Sequence, residues 1–321
     1  MHYTRMGRTG LQVSRLCLGA MTFGLTADEA TSHRILDAAF DAGINFIDTA
    51  DIYSRWGPGH VGGESETVIG SWLRGRSRRD VVIATKVQAP MWDGPNGAGL
   101  SRLHILQAVE DSLRRLGTDY IDLYQTHWPD DETPLDETLA ALDNLVQRGL
   151  VRYLGCSNYP AWLLMKALWT SDAGGLARFD CLQPHYNLLH RDEFERELAA
   201  ACLDQGVGVI PYSPLAAGFL TGKFTRENKS PDSTRSDGAR IQRLLADERA
   251  FATLDVLREI AQAHEAHPAQ IALAWQLAQP VITAPIIGAR RVDQLLDVVG
   301  ATEIALAADE IARLNEVSDG F

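Results

Sequence analysis

Four ionisable side chains stand where strand-like runs end. Asp48 closes the apolar run Ile44, Phe46, Ile47, and Tyr53 follows five residues later in the loop. Lys86 closes the run that begins at Val81, and His127 closes the run that begins at Ile121. An acid at a strand tip with a phenol just beyond it is suited to moving a proton. A tyrosine ordinarily titrates near ~10, and a neighbouring ammonium lowers that value by favouring the phenolate; Lys86 is placed to do so. A buried lysine needs a partner, and Asp48 is the obvious one. His127 can donate a hydrogen bond to a carbonyl oxygen. Together the four can polarise a carbonyl and deliver or remove a proton. Taken alone, the stretch 43–53 also has a plain structural reading, with Asp48 as a helix cap and Tyr53 as a packed ring. The strand ends at Lys86 and His127 favour chemistry.

For these groups to meet, their strands must lie side by side with the same ends together. Strand candidates start near Leu16, Asn45, Val81, Ile121, Arg152, Cys181, Val207 and Ile282, with helical patterns between them. Thr26 opens one helix, carrying Ile35, Leu36, Ala39 and Phe40 on one face; Ser101 opens another, carrying Ile105, Val109, Leu113 and Leu116. Gly43, Gly117, Gly149 and Gly206 follow helical patterns as C-terminal caps do. Alternating strands and helices imply a parallel sheet. Eight such units predict an α/β fold of the (β/α)8 TIM-barrel type, whose active site forms at the carboxyl ends of the strands. An open doubly wound sheet would want GxGxxG after its first strand, and GAMTFG (19–24) does not match it. Residues 1–15 read as an N-terminal hairpin around the turn Gly7 to Gly10, and residues 1–321 as one domain. Two stretches exceed the eight units. Residues 213–247 form a long polar loop of the kind that covers a site, and residues 266–278 an extra amphipathic helix.

Composition narrows the function further. Hydrophobic residues make up 45% of the 321, enough for a sizeable core. The four cysteines show neither a CxxC pair nor metal-ligand spacing, so buried free thiols in a reducing compartment are expected, and no metal. The N-terminus carries no apolar signal segment, and no apolar run approaches the ~18 residues of a membrane span. A cytoplasmic protein without a membrane partner is expected. A net charge of −12 argues against nucleic acid and requires a local basic pocket for any anionic ligand. Oligomeric state leaves no signature in the motifs.

Over nearly its whole length the sequence resembles the aldo-keto reductase family, nearer to the branch with bacterial members and potassium-channel β subunits. The resemblance is carried by GINFIDTADIY (43–53), GESE (63–66), ATK (84–86), DYIDLYQTH (119–127), GCSN (155–158), QPHYN (183–187) and PYSPL (211–215), in this order and spacing. It implies a catalytic tetrad of Asp48, Tyr53, Lys86 and His127, with Tyr53 as general acid in the reduction of an aldehyde or ketone by NADPH. It also implies the cofactor site. Ser157, Asn158 and Gln183 would hold the carboxamide, and Tyr212 would stack on the nicotinamide. Ser213, Leu215, Ala216 and Lys223 would wrap the pyrophosphate, joined by Arg235. Gly19, Met21 and Asp48 complete the set on that side. The segment from Gly288 to Gln294 would open the last helix onto a phosphate. Arg290 and Arg291 would suit the extra phosphate of NADP(H), and Gln294 and Asp297 the adenosine. The family often has asparagine facing the adenine where Val298 stands, so NAD(H) is the alternative cofactor.

Plain structural readings stand beside these. Ser157 and Asn158 can cap the helix after Pro160, Arg290 and Arg291 can be a solvated helix start, and His185 reads as a packed residue. Trp56, Trp92 and Trp128, on the loops after strands two, three and four, form a candidate apolar substrate wall with Tyr53 and His127, or ordinary loop packing. The alternative functions are NAD-linked alcohol oxidation and a cofactor-binding regulatory subunit with little turnover.

Overall fold

Strand alternation sorts the side chains of this chain into two layers. The computed structural model describes residues 1–229 and 238–321. Strands β1 (Tyr3–Arg5) and β2 (Gln12–Ser14) form the antiparallel N-terminal hairpin. Eight further strands follow: β3 (Cys17–Gly19), β4 (Phe46–Asp48), β5 (Val82–Val87), β6 (Ile121–Thr126), β7 (Val151–Ser157), β8 (Phe179–Gln183), β9 (Gly208–Val209) and β10 (Ile286–Gly288). They pair in parallel in the order β10-β3-β4-β5-β6-β7-β8-β9. The ring closes where the Thr283 N–H donates to the Val209 carbonyl at 2.8 Å and the Ile286 N–H to the Pro211 carbonyl at 2.9 Å. This is the (β/α)8 barrel, with helices between its strands.

Two boundaries differ from the expectation. The last strand begins at Ile286 rather than near Ile282. Ile282 makes one bridge to Val209, but the Thr283 hydroxyl then takes the Val209 N–H, and Pro285 has no N–H to give the ladder. The first helix, Glu29–Asp41, is capped by Asp28 rather than opened at Thr26, because the Asp28 carboxylate accepts the Thr31 N–H at 2.8 Å. Ser101 caps its helix as expected, and Gly117 and Gly206 end theirs with left-handed backbone. The extra helix, Pro268–Leu277, is buried on nearly every side rather than amphipathic.

Residues of one parity fill the barrel: Cys17, Phe46, Val82, Ala84, Leu123, Cys181, Ala284 and Ile286 form the inner core, closed below by Met6 and Val13 of the hairpin. Residues of the other parity, such as Leu18, Ile47, Ile83, Tyr124 and Leu182, pack outward with the helices. Gly7 lets the hairpin turn seat against the barrel floor: its φ is +52°, and a Cβ there would lie 2.3 Å from the Gly206 carbonyl oxygen. Two residues beyond the apolar layer, the same inward parity turns polar, with Asp48, Lys86, Gln125 and Gln183 all buried. The barrel is therefore apolar below and chemically active at the carboxyl ends of its strands. The four cysteines are buried and unpaired, and among the described residues no helix is long and apolar enough to cross a membrane.

Candidate active site

The ammonium of Lys86 is the hub. Lys86 lies one residue short of the end of β5, two residues above the level of Asp48, which pairs with Ala84. Its Nζ donates to Asp48 Oδ2 at 2.6 Å, to the Thr49 carbonyl at 2.8 Å and to the Tyr53 hydroxyl at 3.0 Å. All three ammonium hydrogens are thus used, in a place closed to water: the Lys86 and Asp48 side chains are 0% and 2% exposed. His127 sits one residue past β6 and is held by its N–H to the Val87 carbonyl. Its ring meets the half-buried Tyr53 ring edge-on at 5.9 Å, and its Nδ1 is enclosed without a partner among the described residues. The tetrad expected from four separated positions is one cluster.

Its electrostatics correct one expectation. Burial pulls the Lys86 ammonium down, but Asp48 and Tyr53 outweigh it, and Lys86 stays charged with a pKa above the ordinary lysine value. Tyr53 is not brought below the ordinary phenol value. Burial raises it, Lys86 pulls it back, Asp48 raises it again, and the net shift is upward. Tyr53 therefore holds its proton at neutral pH. Burial, with help from Lys86, lowers His127 to about 3, so its imidazole is neutral and can donate from one ring nitrogen.

The residues expected to hold a carboxamide form a second network. Gln183 Nε2 donates to Asp48 Oδ1 at 2.8 Å and the Ser157 hydroxyl donates to the Gln183 main-chain carbonyl at 2.8 Å. Asn158 Nδ2 donates to the His127 carbonyl at 2.9 Å, and the Tyr212 hydroxyl donates to Asn158 Oδ1 at 3.0 Å. Ser157 and Asn158 do not cap a helix, since the helix Ala161–Gly174 begins after Pro160 with no side-chain cap. Gln125 was not singled out from the sequence, yet it joins this network: its Nε2 lies 3.2 Å from Asp48 Oδ1. A buried amide two residues before His127, on the inward parity of a strand, was the available signal.

Backbone strain gathers at the same rim. Ser54, Gln88, Asn158, Ser213, Ala216 and Ala217 have positive φ without being glycine; Glu265 is the one other such residue among those described. Each such residue costs about 1–3 kcal/mol, and strain of this kind concentrates at functional sites. In the segment after β9, Ser213 and then Ala216, Ala217 and Gly218 have left-handed backbone, and the Ala216 and Gly218 N–H groups donate to the Ser213 and Leu215 carbonyls at 3.0 and 2.8 Å. Lys223 Nζ lies beside Gly218, 3.2 Å from where a Cβ on Gly218 would be. The segment 213–247 is not loop throughout: its far part carries the helix Ala239–Ala246. Arg235 lies outside the described residues.

Gly19 and Gly288 pair with each other at the rim level of Asp48, and Met21 is exposed just beyond. Before the helix Val292–Val299, the Arg290 N–H donates to Gln294 Oε1 at 2.9 Å, so the Gln294 side chain braces the helix entry. Arg291 pairs with Asp293 at 2.7 Å on the surface, and Asp297 is exposed. Val298 does not face outward; it is buried in the core between sheet and helices. Trp56 meets Tyr53 edge-on at 6.3 Å, and Trp128 lies near-parallel to His127 at 6.4 Å; both are about half exposed. Trp92 is turned away and packs on His104 at 4.6 Å. His185 is sandwiched between Tyr212 and His190, with burial lowering its pKa to about 3.

The donor set suits a nicotinamide cofactor. The Gln183 side-chain amide spends its nitrogen on Asp48 and Gln125, and its Oε1 accepts no hydrogen bond among the described residues. That oxygen suits the N–H of a carboxamide. No group of three or more His, Cys, Asp or Glu among the described residues could hold a metal.

A closed parallel barrel with a lysine–carboxylate pair, a protonated phenol and a neutral imidazole at its carboxyl rim defines a class: (β/α)8 proteins with an ionisable cluster at the barrel mouth. The chain belongs to the aldo/keto reductase family, which matches residues 15–319. It is similar to the uncharacterized oxidoreductase YrpG of Bacillus subtilis, 43% identical over all of this chain and 97% of that protein. It is also similar to versiconal hemiacetal acetate reductase of Aspergillus parasiticus, at 34% over 98% of this chain and 96% of that protein. A probable voltage-gated potassium channel subunit beta of Oryza sativa is 34% identical over 95% of this chain and 92% of its own length. The family is one of oxidoreductases that act on small carbonyl compounds with nicotinamide cofactors.

Proposed function

We propose that the chain is an NADP-dependent reductase of aldehydes or ketones, with Tyr53 as general acid. The observation that carries this is the Lys86 ammonium held at once by Asp48 Oδ2 and the Tyr53 hydroxyl. The bound nicotinamide supplies a hydride to the carbonyl carbon. Tyr53, protonated at neutral pH, gives its proton to the carbonyl oxygen. The fixed charge of Lys86 stabilises the phenolate left behind, in a site where water does not weaken it. Neutral His127 donates a hydrogen bond to the same oxygen and orients it. Ser157, Asn158 and Gln183 hold the carboxamide, and Tyr212 supports the ring. Ser213, Leu215, Ala216, Lys223 and Arg235 hold the pyrophosphate, and Arg290, Arg291, Gln294 and Asp297 the adenosine end, with Gly19, Met21 and Gly288 at the rim. Trp56 and Trp128 wall the substrate entrance. In this reading residues 1–321 act as one domain, residues 213–247 cover the cofactor, and the protein works in the cytoplasm. The upward shift of Tyr53 keeps the phenol in the protonated form that the reduction step uses. The similarity to a channel subunit favours a second reading, cofactor binding with little turnover.

The test is Tyr53→Phe, which removes only the hydroxyl. Turnover of 4-nitrobenzaldehyde with NADPH should fall by about 10²–10⁴-fold, while NADPH affinity and the thermal melt stay near wild type. A folded, NADPH-binding variant that turns over at the wild-type rate would remove Tyr53 from the mechanism. Wild-type protein that binds NADPH and reduces no aldehyde would support the regulatory reading instead.

A further inference from the structure

Asp48 dictates how two neighbouring amides must face. A carboxylate only accepts hydrogen bonds, so an amide beside it presents nitrogen and turns its oxygen away. Gln125 Nε2 and Gln183 Nε2 both lie on Asp48 Oδ1, at 3.2 Å and 2.8 Å. With its nitrogen so committed, Gln125 aims Oε1 at Gln183, whose Nε2 donates to it at 3.2 Å. Both N–H bonds of Gln183 are then used, one on Asp48 and one on Gln125. To reverse, Gln183 would have to set its carbonyl against Asp48 and against Gln125 together. Gln125 cannot yield, since its own reversal would set oxygen against Asp48. The two amides and the carboxylate are buried at 0–2% exposure, where water cannot replace a lost bond.

We propose that Gln125 is a positioning residue that locks Gln183 with its carbonyl oxygen toward the cofactor pocket, so that the pocket selects a carboxamide able to donate. This rests on the reading that Gln183 meets the nicotinamide. It makes Gln125 the link between two parts of the site: the same side chain steadies the carboxylate partner of Lys86 and the amide that reads the cofactor.

The experiment compares two ligands by quenching of protein fluorescence: NADPH and its 3-acetylpyridine analogue, whose methyl ketone lacks the amide N–H. Wild type should prefer NADPH by about tenfold or more, because the analogue leaves the Gln183 oxygen unpaired. Gln125→Met removes one side of the lock, and the preference should shrink to about threefold or less as Gln183 becomes free to reverse. Gln125→Glu, when protonated, presents the same donor and acceptor as glutamine. At about pH 5.5 it should restore the wild-type preference, and ionisation toward about pH 9 should diminish it relative to wild type at the same pH. A Gln125→Met protein that keeps the full preference overturns the proposal. If that variant fails to fold, Gln125→Glu decides alone: a preference below wild type near pH 5.5, or one that does not change with pH, overturns it. Wild type that binds NADPH with the stated preference leaves the nicotinamide reading standing whatever the variants show. Wild type that binds neither NADPH nor NADH removes both.

Discussion

Asp51 lies three residues beyond Asp48 and has the opposite fortune. Asp48 is met by Lys86, Gln125 and Gln183, whereas both carboxyl oxygens of Asp51 are buried with no hydrogen-bond partner within bonding geometry among the described residues. Nearby Glu66 takes the available donors, the Thr85 hydroxyl at 2.6 Å and Arg115 Nε at 2.6 Å. Burial, and then the charge of Glu66, hold the Asp51 carboxyl well above its ordinary range. Folded protein therefore keeps a proton on Asp51 at pH values where the unfolded chain releases it near ~4. With fewer protons bound when unfolded, stability falls as pH rises above that value. Asp51→Asn removes this loss and keeps the shape. Its urea midpoint should exceed wild type at pH 8, with the difference shrinking toward pH 4. Equal midpoints at both pH values would show that Asp51 pays no such penalty. Its surroundings, not its residue type, keep this carboxyl protonated.

At the scale of elements, the site is braced from outside the barrel. Helix Glu64–Leu73 carries Glu66, and helix Arg102–Leu116 carries Arg115, which holds it. Glu66 in turn holds Thr85, the residue before Lys86. The two helices approach closely at Gly70, where a Cβ would lie 2.2 Å from the Arg115 carbonyl oxygen and 2.9 Å from the Leu116 carbonyl carbon. Both contacts are main chain and cannot swing aside. Gly70→Ala should destabilise by about 1–3 kcal/mol despite alanine's better helix propensity, read as a lower guanidinium midpoint. A midpoint at or above wild type would mean that the helices separate freely here. Much of this level was legible from local pattern: eight strands, the Ser101 cap and the glycine helix ends. The eighth strand was placed early because apolar content at Ile282 does not reveal that Pro285 interrupts the ladder. The amphipathic reading of Pro268–Leu277 failed because a helix buried on all sides has no polar face to show.

The whole molecule carries a net charge of −12 and is proposed to take a polyanionic cofactor. Binding must then depend on local cations. Arg291 is spent on Asp293, but exposed pairs of this kind contribute only about 0–1 kcal/mol and exchange readily for a better anion. Replacing Arg290 and Arg291 together with alanine should weaken NADPH by about tenfold or more and NADH by less than about threefold. Added salt should weaken NADPH binding more steeply in wild type than in the variant. Titrations in which both cofactors weaken equally would take the 2′-phosphate away from these arginines. Val298 bears on the same question only through the fold, since its side chain is buried in the core.

By itself the sequence determined the parts that depend on local pattern and spacing. Strand alternation, helix caps and the recurrence of eight units define the barrel. Strand ends at Asp48, Lys86 and His127, with Tyr53 beyond, bring the tetrad to one rim because parallel neighbours share their carboxyl ends. What the tertiary structure alone decided depends on distances between strands and on how much water is removed. Gln125 joins the site because β6 sets it level with Lys86, within reach of Asp48. Tyr53 keeps its proton because enclosure and Asp48 together outweigh Lys86, a balance of opposed terms that no spacing encodes. Ser157 and Asn158 are released from capping because Pro160 starts the next helix without them. Each depends on which residues surround a group from several strands at once, and that is settled only when the ring closes.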